Sequence, residues 1–352
     1  MAAQIFSRGT GRRILPVALV ALWASISLAE AQTAQDLAVL SGPDRMDNIL
    51  AGAKKEGGLS LYSSGTVEDM GGIIAGFEKK YGLKVKLWRG SSEDIRQRAV
   101  TERRANRADV DVIETAGQDI EALHREGLLQ KIVSPTLADM MPQALRPHGE
   151  WVTGRLSIFT IGYNTNLVKE ADAPKSYEDF LDPKWKGKLG IEAEDANWFM
   201  AVSGAMGEQK AADLFRKIVA TNGISVRKGH SLLANMVASG EVPLALTLYN
   251  YKVEQLKSSG APVRPIYMQP LVALPTGVAV ARTAPNPHAA LLFWEFFLTD
   301  AQKILVEQDN VPTNVKVKAP PPGLIFTDPA KLLDEGERWT KIYREIFAAR
   351  AR

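Results

Sequence analysis

Past residue 40, apolar positions fall into short clusters separated by glycine-rich turns and charged segments, and their spacing alternates between a helical and an extended period. Residues 44–56 place Met46, Ile49, Leu50 and Ala53 on one helical face, and Gly57-Gly58 stops that helix. A short strand at 59–62 runs into the turn Ser63-Ser64-Gly65-Thr66, followed by a helix to about Tyr81 that Gly82 ends. The cycle repeats with a strand at 84–88, the turn Gly90-Ser91-Ser92 and a charged helix through Asn106. A third strand at 109–113 is followed by Thr115-Ala116-Gly117 opening a helix that ends near Glu126-Gly127. Three strand–turn–helix units in succession predict a parallel sheet with right-handed crossovers.

The second half repeats the alternation with longer interruptions. Strands are expected at 156–163, 189–192, 242–248, near 263–267 and at 277–281, with helices at 197–206, 208–221 and 231–239. Pro287 starts a long apolar helix through about Gln308, whose cluster Phe293-Trp294-Phe296-Phe297 covers both faces and reads as core. Residues 317–328 are proline-rich and expected to run over the surface, and 331–349 form a terminal amphipathic helix. The pattern predicts an α/β fold of two lobes with a cleft between them. Lobe 1 is expected at 32–158 with 272–312 returning to it, and lobe 2 at 159–271 with 313–352 packing across or onto it. In open α/β sheets ligands sit beyond the carboxyl ends of the strands, which directs attention to the strand-to-helix turns.

The first residues follow a different pattern. Arg8, Arg12 and Arg13 precede an apolar run at 14–28, and Ala29-Glu30-Ala31 supplies a small-x-small site. This is the layout of an export signal, cleaved after Ala31 or after Ala29. The run falls short of the ~20 apolar residues of a membrane span. Arg12-Arg13 also admits a twin-arginine reading, without the usual flanking residues. Removing 1–31 lowers the formal charge from +3 to +1, which takes away the electrostatic case for a nucleic-acid partner. There is no cysteine, hence no disulfide framework, thiol chemistry or lipid-anchoring cysteine. A soluble, unanchored, monomeric protein of the bacterial periplasm is the expectation.

Candidate ligand residues follow from the turns. Tyr249 and Tyr251 lie just past a strand; a phenol is a hard ligand for a hard cation, and its ring also stacks on or hydrogen-bonds an organic solute. Ser63, Ser64, Gly65 and Thr66, with Ser91 and Ser92 at the next turn, offer hydroxyls and free backbone N–H groups to an anion, although ordinary helix capping uses the same residues. Thr115 occupies the third turn. Arg89 could pair an anionic solute, and Glu192, Asp195, Asn197 and Trp198 follow a strand of the second lobe, where capping and core packing compete with a ligand role. His124, His148, His230 and His288 show no metal-ligand spacing. His124 and His288 read as solvent-exposed, and His230, at a helix start, is a candidate cleft residue. Residues 93–107 alternate in sign and read as a solvated helix face. Nucleotide-binding glycine loops, the Gly-x-Ser-x-Gly nucleophile turn and zinc motifs are absent from the sequence.

Several segments together resemble a known family. They are Leu61-Tyr62-Ser63-Ser64, Phe77-Glu78-Lys79-Lys80-Tyr81-Gly82, Ala108-Asp109-Val110-Asp111-Val112, Glu126-Gly127-Leu128-Leu129, Gly162-Tyr163-Asn164-Thr165, the stretch from Ala173-Pro174 to Trp185-Lys186-Gly187-Lys188, Ser239-Gly240-Glu241-Val242-Pro243 and Asn286-Pro287-His288. As a set they are similar to periplasmic solute-binding proteins of ABC importers, nearest to the ferric-iron-binding branch. The resemblance implies two α/β lobes that close about a hinge onto the ligand, and delivery of that ligand to a permease in the inner membrane. It implies no enzymatic step and no cofactor, with ferric iron as cargo. Iron binders of this branch use adjacent tyrosines after the strand at 242–248, with a histidine and a glutamate from the first lobe. The matching pair here is Asn250 and Tyr251, which makes Tyr251 the candidate metal ligand; Gly65 and Thr66 stand where the histidine falls, and the glutamate is missing or displaced among Glu114, Thr115 and Ala116. That departure leaves a small anionic or organic solute as an alternative cargo. A secreted enzyme on the same fold and a sensory binding protein for a membrane receptor are the rival functions.

Overall fold

The computed structural model describes residues 33–38 and 40–347. The export segment, with its cleavage sites, lies outside the described residues. Glycines end the first helices as their spacing predicts: Gly57 and Gly82 take φ of 80° and 71°, closing Arg45–Glu56 and Val67–Tyr81 with left-handed caps. Among the described residues eleven strands follow in chain order: β1 Gly58–Ser63, β2 Lys84–Arg89, β3 Val112–Ala116, β4 Val152–Asn164, β5 Leu189–Glu192, β6 Ser225–Arg227, β7 Leu244–Tyr249, β8 Val263–Ile266, β9 Leu271–Val280, β10 Val311–Pro312 and β11 Leu324–Phe326. No helix among the described residues is long and apolar enough to cross a membrane.

The strands run in the order β2-β1-β3-β9-β4-β7-β5-β6. β1 is parallel to β2 and β3, as three successive crossover units require, and β9 joins antiparallel between β3 and β4. β4 is the strand on which the architecture turns. Its first half, Val152 to Ile158, pairs with β9, whereas Phe159 to Asn164 pairs with β7 and β8. All of β4 is buried, so it reads as one continuous run without the alternation of a half-exposed strand.

Two large apolar cores flank this shared strand. One gathers Phe77, Phe293, Trp294, Phe296 and Phe297 with Leu61 and Val112, as the aromatic cluster at 293–297 predicts. The other gathers Trp185, Trp198, Phe199 and Phe215 with Trp339, Tyr343 and Phe347 from the terminal helix Pro329–Phe347. Each core is that of one α/β lobe.

Several elements differ from expectation for local reasons. The third strand begins at Val112 instead of 109, because the buried Asp111 side chain accepts the backbone N–H groups of Ser60 (2.7 Å) and Asn286 (2.6 Å). It also runs on to Ala116, which puts Glu114 and Thr115 inside the sheet and not in a turn. The apolar helix from Pro287 is two helices, Pro287–Leu298 and Ala301–Glu307. They break at Thr299, whose hydroxyl donates back to the Glu295 carbonyl at 2.7 Å. The segment at 317–328 contains β11, parallel to β9, so it is not wholly surface loop. Within 93–107, Glu102 is buried and accepts from the Tyr62 hydroxyl at 2.9 Å, so the charged helix is solvated on only part of its circumference.

Phe199 is the aromatic hub of the second core. Its ring lies 5.7 Å from Phe215, 5.9 Å from Phe347, 6.1 Å from Trp339 and 6.3 Å from Tyr343, the last three on the terminal helix. Phe199→Ala leaves a cavity among these rings, and its expected cost is about 3–5 kcal/mol, read as a lower urea midpoint.

Candidate functional site

The end of β1 and the middle of β3 lie side by side in parallel register, Ser63 opposite Glu114. Glu114 is fully buried, and its two oxygens are satisfied separately: the Ser63 hydroxyl donates to Oε2 at 2.6 Å, and Arg155 Nε of β4 donates to Oε1 at 2.9 Å. Ser63 Oγ accepts in turn from the Gly65 N–H at 3.0 Å, and the Ser64 N–H donates to the Glu114 carbonyl. Burial opposes the Arg155 charge, but Glu114, Tyr251 and Asp69 outweigh it and hold the guanidinium protonated. Among the described residues its terminal nitrogens make no hydrogen bond.

The facing wall comes from the end of β7 and the start of the helix Asn250–Ser258. The rings of Tyr249 and Tyr251 lie 6.0 Å apart and only 14° from parallel, both half-buried. Asn250 between them points away. Its Oδ1 accepts from the Ile158 N–H at 2.8 Å and its Nδ2 donates to the Asp309 carbonyl at 3.1 Å, which ties this helix start to β4. Burial pushes the Tyr251 phenol up, Arg155 pulls it down, and Asp69 and Glu114 push it up again.

Beside Tyr249 lies a second polar group. The His230 ring sits 3.9 Å from that of Tyr249, and its Nε2 is 3.1 Å from Asp195 Oδ1. Glu192, at the end of β5, accepts the backbone N–H groups of Gly229 and Glu194. Burial and then Asp195 hold the Glu192 carboxyl above the usual range. Burial works against the His230 charge, but Asp195 and Glu192 prevail and raise it. Burial, Asp195, Tyr251 and Glu192 together push the Tyr249 phenol well up.

The expected ligand residues divide accordingly. Ser63 and the half-buried Ser64 bond to Glu114, Tyr251 lies in the field of Arg155 and Glu114, and Tyr249 stacks beside Tyr251. Gly65 is buried, and its carbonyl accepts from Arg89 at 3.4 Å. Ser91 is spent on a capping box with Asp94, while Ser92 Oγ accepts the Ala116 N–H at 3.4 Å and links the second turn to the third. Thr115 is fully buried within β3. Asn197 accepts the N–H of Trp198 and lines a separate cavity of about 670 Å³ with Gln118, Glu194, Thr340 and Arg344. Trp198 is core. Sequence position does not connect Glu114 with Arg155, although each is one charge inside an apolar strand, as in Val112-Ile113-Glu114, a placement that buried charge rarely takes without a partner.

A pair of α/β lobes sharing a strand, with a polar and aromatic site where they meet, defines a two-lobed solute-binding protein. The chain belongs to the family of bacterial extracellular solute-binding proteins, whose pattern it matches over residues 72–331. It is 26% identical to iron uptake protein A1 of Synechocystis sp. over 271 residues, which cover 72% of this chain and 74% of that protein. With the Fe(3+)-binding periplasmic protein of Serratia marcescens it shares 28% over 204 residues, 56% of this chain and 59% of that one. Among solved structures, iron-bound HitA of Pseudomonas aeruginosa superposes with a TM-score of 0.70 at 25% identity, covering 82% of this chain and 98% of HitA.

The remaining histidines are not the free surface groups their positions suggest. His288 pairs with Glu56 at 2.6 Å, and His124 pairs with Glu150 at 2.8 Å while stacking on His148 at 3.7 Å. His148 Nδ1 accepts the Glu150 N–H at 3.0 Å, so a proton can enter that nitrogen only by breaking the bond. Burial and the His124 ring hold His148 below its ordinary value of 6.5. As pH falls through 6.5, the unfolded chain therefore takes up this proton first and stability declines, until the lower folded-state value is passed. His148→Gln is expected to flatten that part of the acid loss, seen by comparing urea midpoints of both proteins between about pH 5 and 7.5.

Proposed function

We propose that this chain is the periplasmic substrate-binding component of an ABC importer, and that its cargo is ferric iron held at the Tyr249–Tyr251 pair. The carrying observation is the pair itself: two half-buried, near-parallel phenols, one beside the Arg155–Glu114 ion pair and the other beside His230. Phenolate oxygens are hard donors suited to a hard trivalent cation. Both phenols are protonated in the free protein, so metal capture releases protons, and the Arg155 charge favours the phenolate of Tyr251. The iron-related names of the Synechocystis, Serratia and Pseudomonas relatives point the same way.

The lobes in this reading are 32–158 with 272–312, and 159–271 with 313–352, a division supported by the two apolar cores and by the change of partners along β4. Closure about β4 and β9 brings Ser63, Ser64 and Gly65 toward Tyr249 and Tyr251, and ligand shifts the population toward the closed form without a covalent step. Ser92 then acts as a supporting residue that links the second turn to the third, whereas Thr115, buried within β3, and Asn197, in the separate cavity, take no part. Residues 1–31 direct export to the periplasm, where the mature monomer presents its closed form to the permease. A second reading, a small anionic or organic solute, is favoured by one observation: Arg155 engages Glu114 through Nε alone, which leaves its terminal nitrogens for a carboxylate or phosphonate.

Ferric nitrilotriacetate added to ligand-free protein is expected to produce a visible tyrosinate-to-iron absorption band. At 100 times the dissociation constant it should also stabilise the fold by about 2.7 kcal/mol. Tyr251→Phe should remove most of the band and weaken binding at least tenfold, about 1.4 kcal/mol. Stabilisation by phosphonates or carboxylates, with no band from iron, would overturn the ferric reading in favour of the anionic one.

A further inference from the structure

We propose that Glu192, Asp195 and His230 form a second metal seat, for a borderline divalent cation such as zinc, that fills independently of the Tyr249–Tyr251 pair and of the ferric reading. The three residues come from separate elements. Glu192 ends β5, Asp195 precedes the helix Ala196–Met206, and His230 begins the helix His230–Ser239. Each offers one ligand atom, and the three atoms lie within 4.8 Å of one another.

Two observations separate this group from an ordinary histidine–carboxylate pair. Asp195 is 3% exposed, and while its Oδ1 faces His230, its Oδ2 is buried with no hydrogen-bond partner. An unpaired buried carboxylate oxygen is costly and calls for a donor or a cation. The charge count also fails to close: two buried carboxylates share a single imidazole, and among the described residues no lysine or arginine pairs with either. Lys228, nearby in the chain, is engaged with the exposed Glu194. A divalent cation would answer both the missing partner and the excess negative charge.

The surroundings orient the donors in advance. Both Glu192 oxygens accept backbone N–H groups, from Gly229 and Glu194, and the Tyr343 hydroxyl donates to the Glu192 carbonyl. Such outer contacts fix a ligand before the metal arrives. One imidazole nitrogen with two carboxylates suits zinc, manganese or ferrous iron better than the all-oxygen preference of calcium or magnesium. Glu194, Ala196 and Asn197, the chain neighbours of Asp195, line the cavity of about 670 Å³. A metal here would join the starts of two helices and fix the His230 ring on which Tyr249 packs.

The test uses the full mature chain, stripped with chelator and titrated with Co2+ as a spectroscopic probe and with Zn2+ by calorimetry. One equivalent should bind to the wild type with the d–d absorption of a nitrogen–oxygen site. Asp195→Asn and His230→Gln should each weaken binding at least tenfold, with folding verified by far-UV circular dichroism. Tyr251→Phe should keep Co2+ binding while losing the ferric band, which separates this seat from the cargo site. Absence of stoichiometric binding to the wild type would overturn the proposal. So would undiminished binding in both Asp195→Asn and His230→Gln, or a loss in Tyr251→Phe as large as theirs.

Discussion

A glutamate with no solvent exposure, held between a serine hydroxyl and an arginine, is the constraint on which the site's geometry depends. Taking Glu114 and Arg155 out of water is expensive, and their attraction offsets that cost only where the remaining lone pairs are also satisfied. On the carboxylate they are: Arg155 takes one oxygen through Nε, Ser63 the other, and the Gly65 N–H closes the chain of bonds at the turn, while the terminal nitrogens of Arg155 stay unbonded among the described residues. The consequence is geometric. β1, β3 and β4 are tied together at the point where β4 leaves one sheet for the other, so the first turn is held at a fixed place relative to the crossing strand.

The same crossing is secured from the other side by neutral bonds. Asn250 accepts from Ile158 and donates to the carbonyl of Asp309, occupying the position between the two tyrosines. Its neighbours on either side are thereby turned together, and their rings run nearly parallel. The middle residue of Tyr249-Asn250-Tyr251 therefore holds the helix start with both ends of its side chain engaged. The spacing that looks irregular against a run of adjacent tyrosines has a structural cause: one position of the three is needed to hold the helix start to β4.

The layered α/β plan was legible because it rests on period and punctuation, which a single chain displays openly. Gly57 and Gly82 end their helices where their left-handed caps require, and the aromatic cluster at 293–297 is core because both helical faces are filled. Strand ends were less legible. Asp111 reads as part of a strand until its carboxylate is seen capping Ser60 and Asn286 across the fold, and Thr299 gives no sign in sequence that its hydroxyl will break a helix. The tyrosines and Ser63 stand out in sequence as residues just past strands, although Ser63 and Tyr249 are the last residues of β1 and β7 themselves. Glu114, Arg155 and the Asp195–His230 pair were hidden or undervalued because their meaning lies in partners 35 or more residues away, which periodicity does not connect.

Charge distribution carries the last step. On the β1–β3–β4 side the buried carboxylate of Glu114 is matched by Arg155, so that wall is close to neutral. On the other side Glu192 and Asp195 outnumber His230, and Asp195 stands at a helix start without capping it, where an anion would otherwise find free N–H groups. A purely anionic solute would thus meet an acidic wall on closure, and like charges in a half-buried site repel with little screening. A cation meets the reverse: phenols that can give up protons, an acidic wall that attracts it, and an arginine already neutralised. The asymmetry between the walls favours a positively charged cargo over an anion carried alone.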